Sequence, residues 1–124
     1  MAAIPAPIEI ETRKVDTGET MVTVIGEIDL ATAPEVQKAV SRLRARVVLD
    51  LRKVEFMDST GIRVLLQKKK RLVAAGSDLR LLINNPTIRR LVELTGIDDL
   101  FQIDETLRPV EEDPPPTPTP LASI

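Results

Sequence analysis

A chain of 124 residues with 43% apolar side chains holds material for one compact core and too little for two, so a single domain is expected. With 17 basic residues against 19 acidic ones, it presents no basic field for nucleic acid or an anionic membrane. Cysteine and histidine are absent, which excludes thiol nucleophiles, disulfides, thiolate or imidazole metal sites and histidine acid–base catalysis, and two Phe without Tyr or Trp give no stacking platform for single-stranded nucleic acid.

In chain order, Ile8, Ile10 and Thr12 alternate with charged residues, "DTGE" at 16–19 makes a turn, and Met21, Val22, Val24 and Ile25 resume the apolar pattern. This predicts an antiparallel hairpin. "LATAPEVQKAVSRLRAR", 30–46, predicts a helix opened by a capping box, with Thr32 accepting from the Glu35 amide while Glu35 reaches back. Pro34 falls in its first turn, and Val36, Ala39, Val40 and Leu43 share a face. "VVLDL", 47–51, is nearly continuously apolar and reads as a central strand covered on both faces of a parallel sheet. Beyond "FMDSTGI", Ile62, Leu65, Leu66, Leu72 and Val73 keep helical spacing as far as Gly76, a natural helix stop.

"LRLLI", 79–83, gives another buried strand. "NNPTIRRLVELTG" gives a third helix capped by Asn84 or Asn85, with Pro86 in the first turn, Ile88, Leu91, Val92 and Leu94 inward and Gly96 as the stop. A short strand follows at 100–103. The order ββαβαβαβ, with right-handed crossovers, predicts an α/β fold: a mostly parallel mixed sheet with an antiparallel N-terminal hairpin and helices packed against it. The expected boundaries are an N-terminal extension at 1–7, one domain at 8–110 and an acidic, proline-rich tail at 111–124. That tail buries too little apolar surface to offset the entropy of ordering and is read as disordered, its "PPTP" as a flexible terminus before a polyproline ligand. The short apolar runs and the absence of a secretion-type leader imply a soluble cytosolic protein.

"DSTG" stands where a strand meets a helix, the position at which α/β proteins expose side chains on a rigid frame. Its ordinary use is capping, by Asp58 or Ser59. With Asp58 as the cap, Ser59 and Thr60 are surplus. Ser59 has no histidine to activate it and no Ser-x-x-Lys spacing, "LDLRK" lacks the Asp-x-Asp of strand-end phosphatases, and no glycine-rich phosphate cradle occurs. A hydroxyl modified by another protein remains. Elsewhere, "QKKKR" at 67–71 reads as a solvated helix face, Glu27 as a surface strand end, and Arg89 or Arg90 as a partner for an acid near the hairpin.

Three ordered segments, "GEIDLATAPE" at 26–35, "FMDSTGI" at 56–62 and "RRLVELTGIDDLF" at 89–101, resemble signature stretches of bacterial STAS domains of the anti-sigma factor antagonist type. The resemblance spans about residues 8–108 and implies a regulatory protein without enzymatic activity or cofactor of its own. It implies that Ser59 is phosphorylated by an anti-sigma factor that is also a serine kinase using ATP and Mg, with Thr60 a lesser candidate. The unphosphorylated form is expected to bind that anti-sigma factor and release a sigma factor, and a PP2C-type phosphatase to restore it. Asp29, Asp58, Ser59, Thr60 and Gly61 fall on the implied partner surface of a chain that is monomeric when free. Thr60 stands where some relatives carry a second serine, and Arg63 where many carry glycine. The rival within the fold is a STAS subunit regulating a transporter or scaffold without phosphorylation. The rival of another class is a small metal-dependent phosphotransfer or hydrolytic enzyme, for which Asp29 and Asp58 are too few ligands.

Overall fold

The computed structural model describes residues 8–107; the extension at 1–7 and the tail at 111–124 lie outside the described residues. Strands β1 (Ile8–Lys14) and β2 (Thr20–Ile28) form the expected antiparallel hairpin, and its turn uses Gly18 at φ +89°, a conformation that L side chains rarely adopt. β3 (Val47–Met57), β4 (Leu79–Leu82) and β5 (Gln102–Asp104) then add in parallel, so the sheet order is β1-β2-β3-β4-β5.

Helices α1 (Ala33–Ser41), α2 (Ser59–Ala74) and α3 (Pro86–Leu94) connect the parallel strands. Because each strand pairs with its predecessor, every right-handed crossover puts its helix on the same side. Val36 and Val40, Ile62 and Leu65, and Ile88 and Val92 accordingly gather in one core with Val22, Val24, Leu49, Leu51, Leu79 and Leu81. The alternate residues of the strands face the other way, where Met21, Val48 and Leu82 make a smaller apolar cluster with Val15 and Leu107 against it. "VVLDL" is thus covered on both faces, but by helices on only one.

The second face also holds buried charge. Arg80 donates from Nε to Glu19 Oε2 (3.0 Å) and from Nη2 to Glu19 Oε1 (2.8 Å), and reaches Asp104 at 3.2 Å. Beside it, Asp50 accepts from Arg52 at 2.8 and 3.0 Å and from the Thr23 hydroxyl at 3.2 Å. The hairpin acid therefore pairs with Arg80 from β4. Arg89, expected as a possible partner for it, instead pairs with Glu93 one turn along α3.

Several other expectations are corrected. Thr32 occupies the cap position of α1 without a side-chain capping bond, because its hydroxyl is taken by the preceding loop, and the helix ends at Ser41 instead of continuing to 46. Val73 and Leu94, expected inward, are exposed at the far ends of their helices. The last strand begins at Gln102, after a 3₁₀ turn at Asp98–Leu100. "QKKKR" is not wholly solvated: Lys68 is buried and donates to the Leu43 carbonyl (2.6 Å), while Lys69 pairs with Asp78 and lies over the Phe101 ring.

β3 is much longer than "VVLDL". Against β2 it accommodates two extra residues, with register shifts opposite Thr23/Ile25 and Gly26/Glu27. Such bulges bend a strand and increase its twist, and here they carry β3 to Met57 opposite Ile28.

Candidate functional site

The carboxyl ends of β2 and β3 finish side by side. The Asp58 amide donates to the Ile28 carbonyl (3.1 Å), which fixes the β2–α1 loop against the start of α2. Two sequence-distant segments thereby become one surface. In the first, Asp29 Oδ1 accepts from the amides of Ala31 (2.9 Å) and Thr32 (3.0 Å), and the Thr32 hydroxyl accepts from the Asp29 amide (2.9 Å) and donates to the Glu27 carbonyl (2.7 Å). Asp29 is half-buried, and one of its carboxylate oxygens is committed to shaping the loop.

In the second segment Asp58 is the α2 cap. Its Oδ1 accepts from the Thr60 amide (2.8 Å) and from the Thr60 hydroxyl (2.6 Å). The Thr60 hydroxyl, helped by nearby amides, outweighs burial and holds the Asp58 carboxyl below the usual carboxylate range. Thr60 is consequently not surplus. Ser59, the first residue of α2, is exposed, and no hydrogen bond engages its hydroxyl among the described residues. It projects from the helix end at which free amides and the helix dipole favour negative charge.

Gly61 is buried. A Cβ there would lie 2.4 Å from Met57 Cγ, 2.7 Å from its Sδ and 3.0 Å from Ile28 Cγ2, so the missing side chain is what lets the first turn of α2 sit on the ends of β2 and β3. Its contribution is to place Ser59, and it offers little surface itself. Asp29, Asp58, Ser59 and Thr60 are thus brought together, with only Ser59 exposed among them and the other three half-buried.

One neighbour escaped the sequence reading. Leu30, between Asp29 and Ala31, is 77% exposed, the most exposed large apolar side chain among the described residues. Its signal in the sequence is a leucine isolated in the loop "DLATAP", outside either flanking apolar pattern. Among the described residues no three acidic side chains are grouped so as to hold a metal ion, and no helix is long and apolar enough to cross a membrane.

A family model described as the STAS domain matches residues 9–110. The anti-sigma-B factor antagonist of Listeria monocytogenes is 39% identical over 100 residues, covering 77% of this chain and 88% of the relative. A solved anti-sigma factor antagonist from Mycobacterium paratuberculosis is 33% identical, with a TM-score of 0.75 over 84% of this chain and 92% of that one. SpoIIAA of Bacillus in its phosphorylated form is 19% identical, with a TM-score of 0.61 over 85% of this chain and 95% of that one, a likeness of fold alone. Taken with the ordered segments and the β2–β3 junction, these likenesses mean that the chain belongs to the STAS domain family, with the anti-sigma factor antagonists.

Proposed function

We propose that the unphosphorylated chain binds an anti-sigma factor through the surface around Ser59, and that phosphorylation of Ser59 by that same partner, a serine kinase using ATP and Mg, switches binding off. Binding frees a sigma factor in the cytoplasm, and a PP2C-type phosphatase restores the competent form. The chain contributes a docking surface and an acceptor oxygen, and no catalysis of its own. The observation that carries this reading is the inequality of the two adjacent hydroxyls: Thr60 is tied to Asp58 at 2.6 Å, whereas Ser59 is exposed and unengaged.

The energetics favour a local switch. A phosphate adds about −1.5 to −2 charges. The N-terminus of α2 stabilises it by roughly 0.3–1 kcal/mol, while repulsion from a carboxylate such as Asp58 costs about 0.7–3 kcal/mol per unit-charge pair at ~6 Å. Repulsion is the larger of the two, but a net cost of a few kcal/mol is smaller than the ~5–15 kcal/mol stability of a typical domain, so the scaffold stands. A partner that covers Ser59 must desolvate the dianion, and a penalty of about 3–4 kcal/mol weakens binding by roughly 10²–10³-fold.

The test is intact mass spectrometry of the protein with ATP and each candidate kinase of its host, with fragmentation to separate Ser59 from Thr60, followed by partner-binding titrations. Ser59→Asp is expected to abolish binding, and Ser59→Ala to retain it while blocking phosphorylation. Tight binding by a stoichiometrically phosphorylated protein would contradict the proposal, and so would the failure of every kinase to modify Ser59.

A further inference from the structure

Away from Ser59, α1 and α2 enclose a cleft of about 120 Å³ lined by Ser41, Leu43, Arg44, Lys68, Arg71 and Leu72. It continues along the helices to a second hollow that shares Ser41, Lys68 and Arg71 and adds Gln37 and Gln67. Three cationic side chains line this space, and no carboxylate lines either part. Lys68 is 7% exposed, and its ammonium makes one hydrogen bond, to the neutral Leu43 carbonyl at 2.6 Å. Among the described residues Arg44, Lys68 and Arg71 form no salt bridge, although Arg52, Lys69 and Arg89 all do. The partial negative charge at the C-terminus of α1 sits against three full positive charges, which leaves the cleft positive.

A buried ammonium whose neighbours are also cationic lacks the compensation that buried charges ordinarily have. Burial, reinforced by Arg71 and Arg44, accordingly pushes the Lys68 pKa down. An oxyanion would relieve both conditions at once, since it accepts several charge-assisted hydrogen bonds from converging guanidinium and ammonium donors. We propose that the α1–α2 cleft is a binding site for a phosphate group, held by Lys68 at its floor and by Arg44 and Arg71 at its rim. The ligand bridges the two helices whose opposite ends frame Asp29 and Ser59. The site owes nothing to the phosphorylation of Ser59.

To test it, the full-length ¹⁵N-labelled protein is titrated with sodium phosphate and separately with phenyl phosphate, each against sodium chloride at matched ionic strength. Saturable amide shifts centred on residues 41–44 and 67–72 are expected. Saturation by inorganic phosphate alone supports a site for the free ion, and saturation by both supports a site that also takes an esterified phosphate. Arg44→Ala combined with Arg71→Ala changes two exposed side chains and is expected to weaken binding about tenfold or more without unfolding the protein. Shifts no different from those of chloride, or an affinity unchanged in the double variant, would overturn the proposal.

Discussion

In an Arg80→Met variant, Glu19 keeps its place on the second face of the sheet, 3% exposed, but loses the two N–H donors at 2.8 and 3.0 Å that hold its carboxylate. Removing one member of a buried pair costs about 3–5 kcal/mol, because the remaining charge keeps its desolvation penalty. Here the Thr17 hydroxyl still donates to Glu19 at 2.7 Å, and methionine replaces much of the arginine stem. The lower end, about 3 kcal/mol, is therefore expected at neutral pH. With urea slopes of about 1–3 kcal/mol/M, that lowers the unfolding midpoint by roughly 1–3 M. Far-UV circular dichroism is the readout, since the chain has no Trp or Tyr to follow by fluorescence.

The pH dependence identifies the cause. In the parent, burial pushes the Glu19 carboxyl up, but the hydrogen bonds and charge of Arg80 hold it below its ordinary 4.5. A depressed folded-state pKa contributes stability that is complete above the unfolded value and lost as pH falls through the folded one, so the contribution of this pair in the parent fades only below about pH 4.5. Without Arg80, burial acts with less opposition, and protonation relieves the stranded charge. The deficit of the variant should shrink between about pH 7 and pH 5, and Glu19→Gln in the same background should recover part of it at pH 7. A deficit under about 1 kcal/mol, or one identical at both pH values, would refute the assignment of this pair as a buried charge clamp.

Three further outcomes are expected. Gly61→Ala should destabilise the protein by about 1–3 kcal/mol in urea titrations despite its better helix propensity, since the new methyl meets Met57 at 2.4 Å. Asp58→Ala removes the α2 cap and should cost about 1 kcal/mol by the same measurement, a cost that vanishes in acid as the parent carboxyl protonates below its ordinary 3.8. Leu30→Ala should leave the urea midpoint within about 0.5 kcal/mol of the parent, yet weaken anti-sigma factor binding about tenfold in calorimetry, as loss of an exposed apolar anchor does.

What the sequence makes legible is what local periodicity and turn chemistry control. The Gly18 turn, Asn85 and Pro86 at the start of α3, and Gly76 after α2 each act within a few residues, and each was readable. Asp58 as a cap was readable for the same reason. The engagement of Thr60 was not, because Asp58 has two acceptor directions and the sequence does not say who uses the second. Thr32 looked like half of a capping box until the fold placed the Glu27 carbonyl within 2.7 Å of its hydroxyl. Lys68 sits in a run of lysines that reads as solvent-facing, yet it is buried and bonded to the Leu43 carbonyl after α1, a contact that no local pattern shows. Arg80 and Glu19 are 61 positions apart, and no local pattern links them. β3 outruns its apolar core because bulges let charged residues continue a strand without disturbing the inward side chains.

The sheet is laid down in the order in which the chain is made, each new strand taking its place beside the one just before it. No strand has to be held open for a neighbour synthesised much later, which keeps loop-closure costs small and shortens the time that sticky edges stay bare during translation. Among the described residues the growing edge finishes with β5, only three residues long and bearing Gln102 and Asp104. A short polar rim of this kind offers a poor template for another chain to pair with along that edge.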